Sequence, residues 1–176
     1  MEEGARAIVA LQRQIVAMPK PVVAVVVGAA RAGGIGIVAA SDLAVVAEDA
    51  TFALTEVKLG LTPAVISLTV LPRLTQRAAA LTALGGEVFT GAQAAEYGLV
   101  TRAVPAGELD AAVAELTAQL ATGAAQGLRE TKALLSAPLL ADIDARGEEM
   151  VALSARLFGS DAARAAMTAF LGRTKG

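Results

Sequence analysis

Apolar residues in the first half of the chain recur first at helical spacing and then in short continuous runs. The segment 5–17 carries its apolar residues three to four positions apart, which predicts an amphipathic helix that Pro19 and Pro21 end. The continuous β-branched or apolar runs that follow predict buried strands. These strand predictions cover residues 22–27, 43–47 and, as a marginal third, 51–53.

Turn-forming and capping residues divide the next segment into short elements. Proline favours the first turn of a helix, threonine the N-cap, and glycine the position after the last turn. On these signals we predict a short helix over 34–40, helices from Pro63 to Leu71, from Arg73 to Gly86 and from Thr90 to Gly98, and a strand over 99–104.

From Gly107 onward the pattern is helical throughout, with one apolar stripe from Leu109 to Leu120 and a second from Ile143 to Phe158. The alternation of strands and helices in the first half predicts an α/β fold with a parallel sheet. No linker-like segment separates the two halves. We therefore predict one domain, with an α/β core over 1–106 and a C-terminal helical region over 107–176.

The predicted strands are fewer than a parallel sheet covered on both faces normally contains. We therefore expect a sheet that is incomplete at the N-terminus. Either residues before Met1 or another polypeptide then completes it.

Composition removes several classes of function. The chain has 176 residues, 55% of them apolar, which suffices for one core. The longest apolar stretch, Val22 to Ala30, is far shorter than the roughly 18 residues that cross a bilayer. Because the N-terminus also lacks a signal-type pattern, we expect a soluble, cytoplasmic protein that binds no membrane.

The chain contains no cysteine and no histidine. Disulfides, thiolate nucleophiles, Ser-His-Asp hydrolysis and His- or Cys-based metal sites are thereby excluded, and we expect no metal. A net charge of −2 and an aromatic content of 3% argue against nucleic-acid binding. The remaining acid–base groups are carboxylates, lysines, arginines and Tyr97.

A glycine cluster and one carboxylate are the candidate chemistry. Gly28, Gly33, Gly34 and Gly36 lie between a predicted strand and a predicted helix, a geometry that directs free backbone N–H groups at a negative oxygen. Glu56 follows Gly36 by twenty residues in an apolar neighbourhood. Together they predict oxyanion chemistry with one proton carrier. Taken singly, the glycines also fit close helix–strand packing, and Glu56 also fits a surface acid.

Two stretches carry a family resemblance: KPVVAVVVGAARAGGIGIVAASDLAVVAEDATFALTEVKLGLTPA and LTALGGEVFTGAQAAEYGLVTRAVP. They resemble the core signature of the crotonase superfamily, the enoyl-CoA hydratase/isomerase family, and the similarity extends over residues 5–176. The resemblance implies a crotonase-like ββα spiral core, followed by a C-terminal helical region that forms trimers. The core lacks the N-terminal segment in which the family carries an A-G-x-D motif.

The resemblance also implies the reaction. The family binds acyl-CoA thioesters and stabilises an enolate with two backbone N–H groups, the second of which matches Gly33. Glu56 matches the proton-carrying glutamate, whereas Gly36 replaces a second glutamate that hydratases generally use. Coenzyme A is then part of the substrate, and we expect no separate cofactor.

Further positions match parts of the family's substrate site. Gly34 and Gly36 belong to the glycine cluster, and the residues that match positions lining the acyl pocket are Leu54, Ala64, Val65 and Ser67. Phe170 and Arg173 match residues that reach the CoA of a neighbouring subunit, which predicts a homotrimer or hexamer; Arg173 equally fits an ordinary terminal charge. We interpret Arg31 as an exposed turn charge and Asp42 as a cap before a strand.

The sequence leaves three functions open. The first is an enoyl-CoA hydratase or isomerase that uses a single glutamate. The second is a catalytically impaired crotonase-like remnant that acts as a binding or assembly subunit, because one donor and one acid are missing. The third is an unrelated nucleotide-binding module, although the glycine spacing fits neither a P-loop nor a dinucleotide fingerprint.

Overall fold

The computed structural model describes residues 2–173, with side chains for residues 2–170. The helices are α1 Glu2–Ala17, α2 Gly33–Ala40, α3 Ala64–Arg73, α4 Gln76–Gly85, α5 Gly91–Glu96, α6 Leu109–Ala121, α7 Ala125–Phe158 and α8 Asp161–Arg173. The strands are β1 Val23–Val26, β2 Ala29–Arg31, β3 Leu43–Ala47, β4 Thr51–Ala53, β5 Phe89–Thr90 and β6 Arg102–Val104. Short 3-10 turns cover Glu56–Leu59 and Ala106–Glu108.

Within residues 2–173 the strands form two three-stranded sheets, ordered β1-β3-β6 and β2-β4-β5. β1 runs parallel to β3, and β3 runs parallel to β6. In the second sheet β2 runs parallel to β4, while β5 closes the far edge in the antiparallel direction. Consecutive strands thus alternate between two sheets before the chain continues into a helix, in the order β1-β2-α2 and then β3-β4-α3.

The predictions for β3 and β4 are confirmed at their full lengths, while the other two predicted strands are shorter than expected. β1 begins one residue later and ends one residue earlier than 22–27, and β6 begins only at Arg102. β2 and β5, which have three and two residues, were not predicted from the sequence. Strands this short show no hydrophobic periodicity. Their extended conformation is stabilised by pairing with β4.

Most helices begin and end near the predicted residues. α4 begins at Gln76 rather than Arg73, because the Thr75 side chain caps it by accepting the Ala78 N–H. α3 extends beyond Leu71 and contains Pro72 in its last turn. The Thr90 cap is confirmed as a capping box with Gln93. The division of the chain into an α/β core over 1–106 and a helical region over 107–176 stays a prediction.

The main core lies between the two sheets and helices α2 and α3. It contains Phe52, whose ring stacks on Phe89 at a centroid distance of 5.6 Å. A second cluster joins α1, α3 and α7 around Ile15, Leu68 and Met150. α6 covers the outer face of β3 through Leu109 and Val45. The helical C-terminal half therefore packs directly on the α/β core.

α7 has 34 residues and is anchored to the core by a buried lysine. The Lys132 ammonium donates to the carbonyls of Ile15 and Lys20 and pairs with the Asp42 carboxylate at 2.8 Å. Asp42 also accepts the Val22 N–H at 2.7 Å, so its predicted role at the start of a strand is confirmed. These bonds fix the position of α7 relative to α1 and β1.

Arg31 is exposed as predicted, but its predicted place in a turn is wrong. Arg31 is the last residue of β2, and its guanidinium donates to the Thr51 carbonyl at 2.5 Å and to the Thr51 hydroxyl at 3.0 Å. It therefore links β2 to β4.

None of the helices within residues 2–173 combines the length and the apolar character that a membrane span requires.

Candidate active site

The parallel pairing of β2 and β4 brings the two candidate groups to the same edge of a sheet. Arg31, the last residue of β2, lies opposite Ala53, the last residue of β4. Gly33 follows two residues after the first strand and Glu56 three residues after the second. Because carboxyl ends of parallel strands meet at one edge, a separation of 23 residues along the chain becomes a shared site.

The backbone between β2 and α2 turns sharply at Ala32, which has φ 47° and ψ −128°. This conformation strongly favours glycine, and among the described non-glycine residues Ala32 alone has a positive φ. The turn makes Gly33 the first residue of α2. Its N–H therefore has no acceptor within the helix, and no hydrogen bond from it occurs within residues 2–173.

Glu56 begins the 3-10 turn that follows β4. The Glu56 carbonyl accepts the Leu61 N–H at 3.0 Å, and Thr55 accepts the Lys58 N–H at 3.0 Å, so the turn is closed by its own backbone. Gly60 ends it with φ 69°. An ideal Cβ at Gly60 would lie 3.3 Å from backbone atoms of Ala162 and Ala163, which shows how closely α8 packs on this turn.

The Glu56 carboxyl is poorly solvated. Its Oε2 atom is buried and has no hydrogen-bond partner among the described residues. Burial raises the pKa of Glu56 above its ordinary value, while a hydrogen bond from its own backbone opposes this increase. A buried carboxyl oxygen without a partner costs free energy, so such an atom is expected where a ligand or a transferred proton satisfies it.

The two groups line one cavity of about 240 Å³, which we call the Glu56 cavity. Its walls come from the turn at Ala32 and Gly33, from the Thr55–Leu61 turn, from the start of α3 and from the end of α7. Of the described residues that line it, Glu56 alone carries a charge. The site thus combines one free amide, one carboxyl and walls that are mostly apolar, with hydroxyl groups from Thr55, Thr62 and Ser154.

The structure brings together some of the predicted site residues. Those that line the Glu56 cavity are Gly33, Glu56, Ala64 and Val65. Those that do not are Gly34, Gly36, Leu54 and Ser67. Leu54 is 1% exposed in the main core, and the Ser67 hydroxyl donates to the Ala64 carbonyl beside Met150. Leu54 faces the sheets and Ser67 faces α7, so neither lines this cavity, and their place at an acyl pocket stays a prediction.

The two remaining glycines have different surroundings. Gly34 is exposed, and a Cβ there would meet no atom within 4 Å. Gly36 is buried, and a Cβ there would lie 2.8 Å from Ile66 Cγ2 and 3.0 Å from Gln12 Oε1. The Gln12 amide donates to the carbonyls of Ile8 and Val65 and accepts from Thr69. Gly36 therefore faces a packed polar network behind the cavity wall rather than the cavity.

Nine of the described wall residues were not predicted, and three of these nine lie on helices α3 and α7. Ile66 reaches the cavity from α3, while Ser154 and Phe158 reach it from α7, more than ninety positions after Glu56. One signal was present, because Ser154 interrupts the otherwise apolar stripe of α7. Phe170 lies half-exposed on α8 and is not part of this wall, and the Arg173 side chain is outside the described residues.

A larger cavity of about 420 Å³ lies between α7 and the end of α3. Its charged groups already have protein partners. Asp42 pairs with Lys132, Asp142 pairs with Arg146, and Arg73 donates to the carbonyls of Ala39 and Ser41. Because none of these groups needs a ligand, the smaller Glu56 cavity is the better candidate.

Comparison with known proteins gives the family. The enoyl-CoA hydratase/isomerase family matches residues 3–176. A Bacillus subtilis protein described as a probable enoyl-CoA hydratase is 34% identical over 170 residues, which are 94% of this chain and 65% of that protein. A Thermus thermophilus relative is 37% identical over 139 residues, 77% of this chain and 55% of its own length. The chain thus spans between 55% and 65% of these two relatives.

Solved structures give the same fold. The crystal structure of an enoyl-CoA hydratase from Mycobacterium avium superposes with a TM-score of 0.94 at 46% identity, covering 98% of this chain and 68% of that one. A carnitinyl-CoA hydratase from the same species superposes at 0.79 with 27% identity, covering 89% and 61%. The crotonase-like α/β fold predicted from the sequence is confirmed, and the chain belongs to the enoyl-CoA hydratase/isomerase family of the crotonase superfamily.

Proposed function

We propose that this chain acts on an acyl-CoA thioester by forming an enolate, in a reaction of the enoyl-CoA hydratase/isomerase type. The Gly33 N–H holds the thioester oxygen, and the Glu56 carboxyl carries the proton. One observation supports this most strongly: the paired ends of β2 and β4 place a free amide and a partly desolvated carboxyl at one cavity.

The proton balance is simple for an isomerisation. Glu56 takes a proton from C2 of a 3-enoyl thioester, the C–H electron pair moves into a dienolate, and the oxygen gains negative charge beside Gly33. The same carboxyl then returns the proton to C4, which restores the ionised acid. For a hydration, the oxygen of water bonds to C3 while Glu56 accepts a proton from that water and the electron pair of the C2–C3 double bond moves into an enolate. The protonated Glu56 then delivers this proton to C2, which restores the ionised acid.

Each group contributes a known kind of stabilisation. One preorganised N–H donor contributes about 2.7–4 kcal/mol to an oxyanion transition state. Gly33 also lies at the N-terminus of α2, where the backbone dipoles favour negative charge. Burial raises the pKa of Glu56 above its ordinary value, which makes its carboxylate a stronger base for proton uptake.

The proposal extends to the substrate and the assembly. Coenzyme A enters as part of the substrate, so the reaction needs no separate cofactor. The protein is proposed to act in the cytoplasm as a homotrimer or hexamer, in which Phe170 and Arg173 of one subunit reach the CoA of a neighbour. The support for this part is membership of the family alone.

The test is turnover of an enoyl-CoA panel by Glu56→Gln. The panel contains 2-enoyl and 3-enoyl thioesters, so hydration and isomerisation are read separately. We expect a loss of roughly 10²–10⁴-fold, because the amide cannot carry the proton. The matched control is Glu48→Gln, an exposed acid that does not line the cavity. Wild-type turnover in Glu56→Gln contradicts the assigned role.

A second candidate is a non-catalytic subunit that binds partner chains. It is favoured by Gly36, which replaces the second glutamate and is packed against Gln12 and Ile66. Activity of a homogeneous preparation, whose intact mass matches the 176-residue chain, eliminates this candidate. Inactivity of such a preparation on the whole panel, with a native fold, supports it.

A further inference from the structure

A second cavity adjoins the Glu56 cavity. It measures about 250 Å³, and we call it the α1 cavity because Gly4, Ala5 and Ile8 of α1 form one side. Val65, Ser154 and Phe158 line both cavities. These three side chains therefore form the boundary between the two spaces.

The α1 cavity also lies close to the proposed oxyanion donor. Ile8 Cδ1 lies 3.0 Å from the position that a Cβ would take at Gly33. A thioester oxygen held by the Gly33 amide thus has the start of the α1 cavity beside it. An acyl chain that leaves this point has two apolar spaces available in succession.

The chemistry of the two walls restricts the acyl group. Among the described residues that line the α1 cavity none is charged, and Ser154 alone has a polar side chain. Among the described residues that line the Glu56 cavity, the one charged residue is an acid. A free carboxylate on the acyl group would meet no cation among these wall residues and would be repelled by Glu56, which is unfavourable.

We propose that the α1 cavity receives the far end of a neutral aliphatic acyl chain, and that Phe158 at the boundary sets the chain length accepted. This inference rests on the proposed function, because it takes acyl-CoA as the ligand. Short acyl groups occupy the Glu56 cavity alone. Longer ones have to pass Phe158 and Val65.

Phe158 is suited to this role by its position. It is the last residue of α7, Gly159 follows it, and its side chain is 38% exposed. Truncation of a residue at this place opens the boundary without removing a fully buried core side chain. Leu134 provides a matched control on the same helix, because it is 78% exposed and lines neither cavity.

The experiment is calorimetric titration of the full chain with butyryl-CoA, dodecanoyl-CoA and glutaryl-CoA. The quantity compared is the Kd of butyryl-CoA divided by the Kd of dodecanoyl-CoA. We expect this ratio to be about tenfold larger for Phe158→Ala than for the wild type. Leu134→Ala should keep the wild-type ratio. In the wild type, glutaryl-CoA should bind about tenfold more weakly than butyryl-CoA, because its carboxylate has no cation to pair with.

Several results overturn the inference. They are an unchanged chain-length ratio in folded Phe158→Ala, tighter binding of glutaryl-CoA than butyryl-CoA, and no binding of any acyl-CoA by the wild type. If Phe158→Ala does not fold, Phe158→Leu gives the same comparison with a smaller change. Turnover is measured separately. Length-dependent binding without turnover refutes the proposed function alone, while turnover with an unchanged ratio refutes this inference alone.

Discussion

At the scale of single residues, the strained backbone of Ala32 is a direct consequence of the site geometry. Its φ of 47° directs the chain from β2 into α2 and frees the Gly33 amide. Strain of this kind costs about 1–3 kcal/mol and concentrates at functional sites. Ala32 bears this cost because it has a Cβ, whereas a glycine at the same position would avoid it.

We expect Ala32→Gly to stabilise the protein by about 1 kcal/mol, because glycine adopts this conformation without strain and loses only part of the gain to chain entropy. Urea unfolding at neutral pH measures the difference. Ala114→Gly is the opposing control, since it places glycine in an exposed position of α6 and should destabilise by about 1 kcal/mol. A destabilised Ala32→Gly contradicts the account of strain.

Glu56 should make stability depend on pH. Its pKa is higher in the folded state than in the unfolded chain, because burial disfavours the charged form. The folded state therefore binds more protons than the unfolded state above the ordinary glutamate pKa of about 4.3, and stability falls as pH rises through this window. At low pH the carboxyl is neutral in both states, and its destabilising effect disappears.

We expect Glu56→Gln to be more stable than the wild type at pH 7, and the difference to shrink as the pH approaches the ordinary glutamate value, about 4.3. Urea unfolding of both proteins across this range measures it. Glu48→Gln, at an exposed position outside the Glu56 cavity, is the control variant for the loss of one carboxyl. A stability gain in Glu56→Gln that grows toward acid pH would reverse the sign and refute the interpretation.

At the scale of elements, the packing of α2 against α1 and α3 fills the space beside Gly36. The Gln12 side chain is fully buried and bonds to α1, to α3 and, through Thr69, to the Gly36 carbonyl. Any side chain at Gly36 would enter this network. A second carboxyl at this position therefore requires the side chains of Ile66 and Gln12 to move.

We expect Gly36→Ala to destabilise by about 1–3 kcal/mol, because its methyl group overlaps Ile66 and Gln12. Gly34→Ala is the matched control in the same helix: it meets no atom within 4 Å. It should be stabilising by about 0.5–1 kcal/mol, because glycine is unfavourable in helices. Thermal or urea unfolding of the pair measures both signs. Equal effects at the two positions would show that packing against Gln12 is unimportant.

At the scale of the whole molecule, the sequence predicted the two candidate groups of the site, Gly33 and Glu56, but not their arrangement in space. The strand–glycine–helix pattern and the resemblance to a family identified Gly33 and Glu56. Their proximity depends on β2, a three-residue strand that pairs with β4 and has no pattern of its own. Sequence alone could therefore name both groups without showing which strand ends bring them together.

The wall residues that α7 contributes to the Glu56 cavity were not predicted, for a related reason. Ser154 and Phe158 come from α7, whose position depends on long-range contacts such as Lys132 with Asp42. The apolar stripe of α7 predicted a buried face but not the partner of that face. Leu54 and Ser67 do not line the Glu56 cavity, because a match in sequence position does not determine the direction of a side chain.

The central claim is that Glu56 moves a proton to and from a carbon of a thioester held at Gly33. The most direct measurement is deuterium incorporation from D2O at C2 or C4 of the thioester, followed by NMR, in the wild type, Glu56→Gln and Glu48→Gln. We predict incorporation in the wild type and Glu48→Gln, and a rate lower by roughly 10²–10⁴-fold in Glu56→Gln. Incorporation in Glu56→Gln at the wild-type rate would contradict the account.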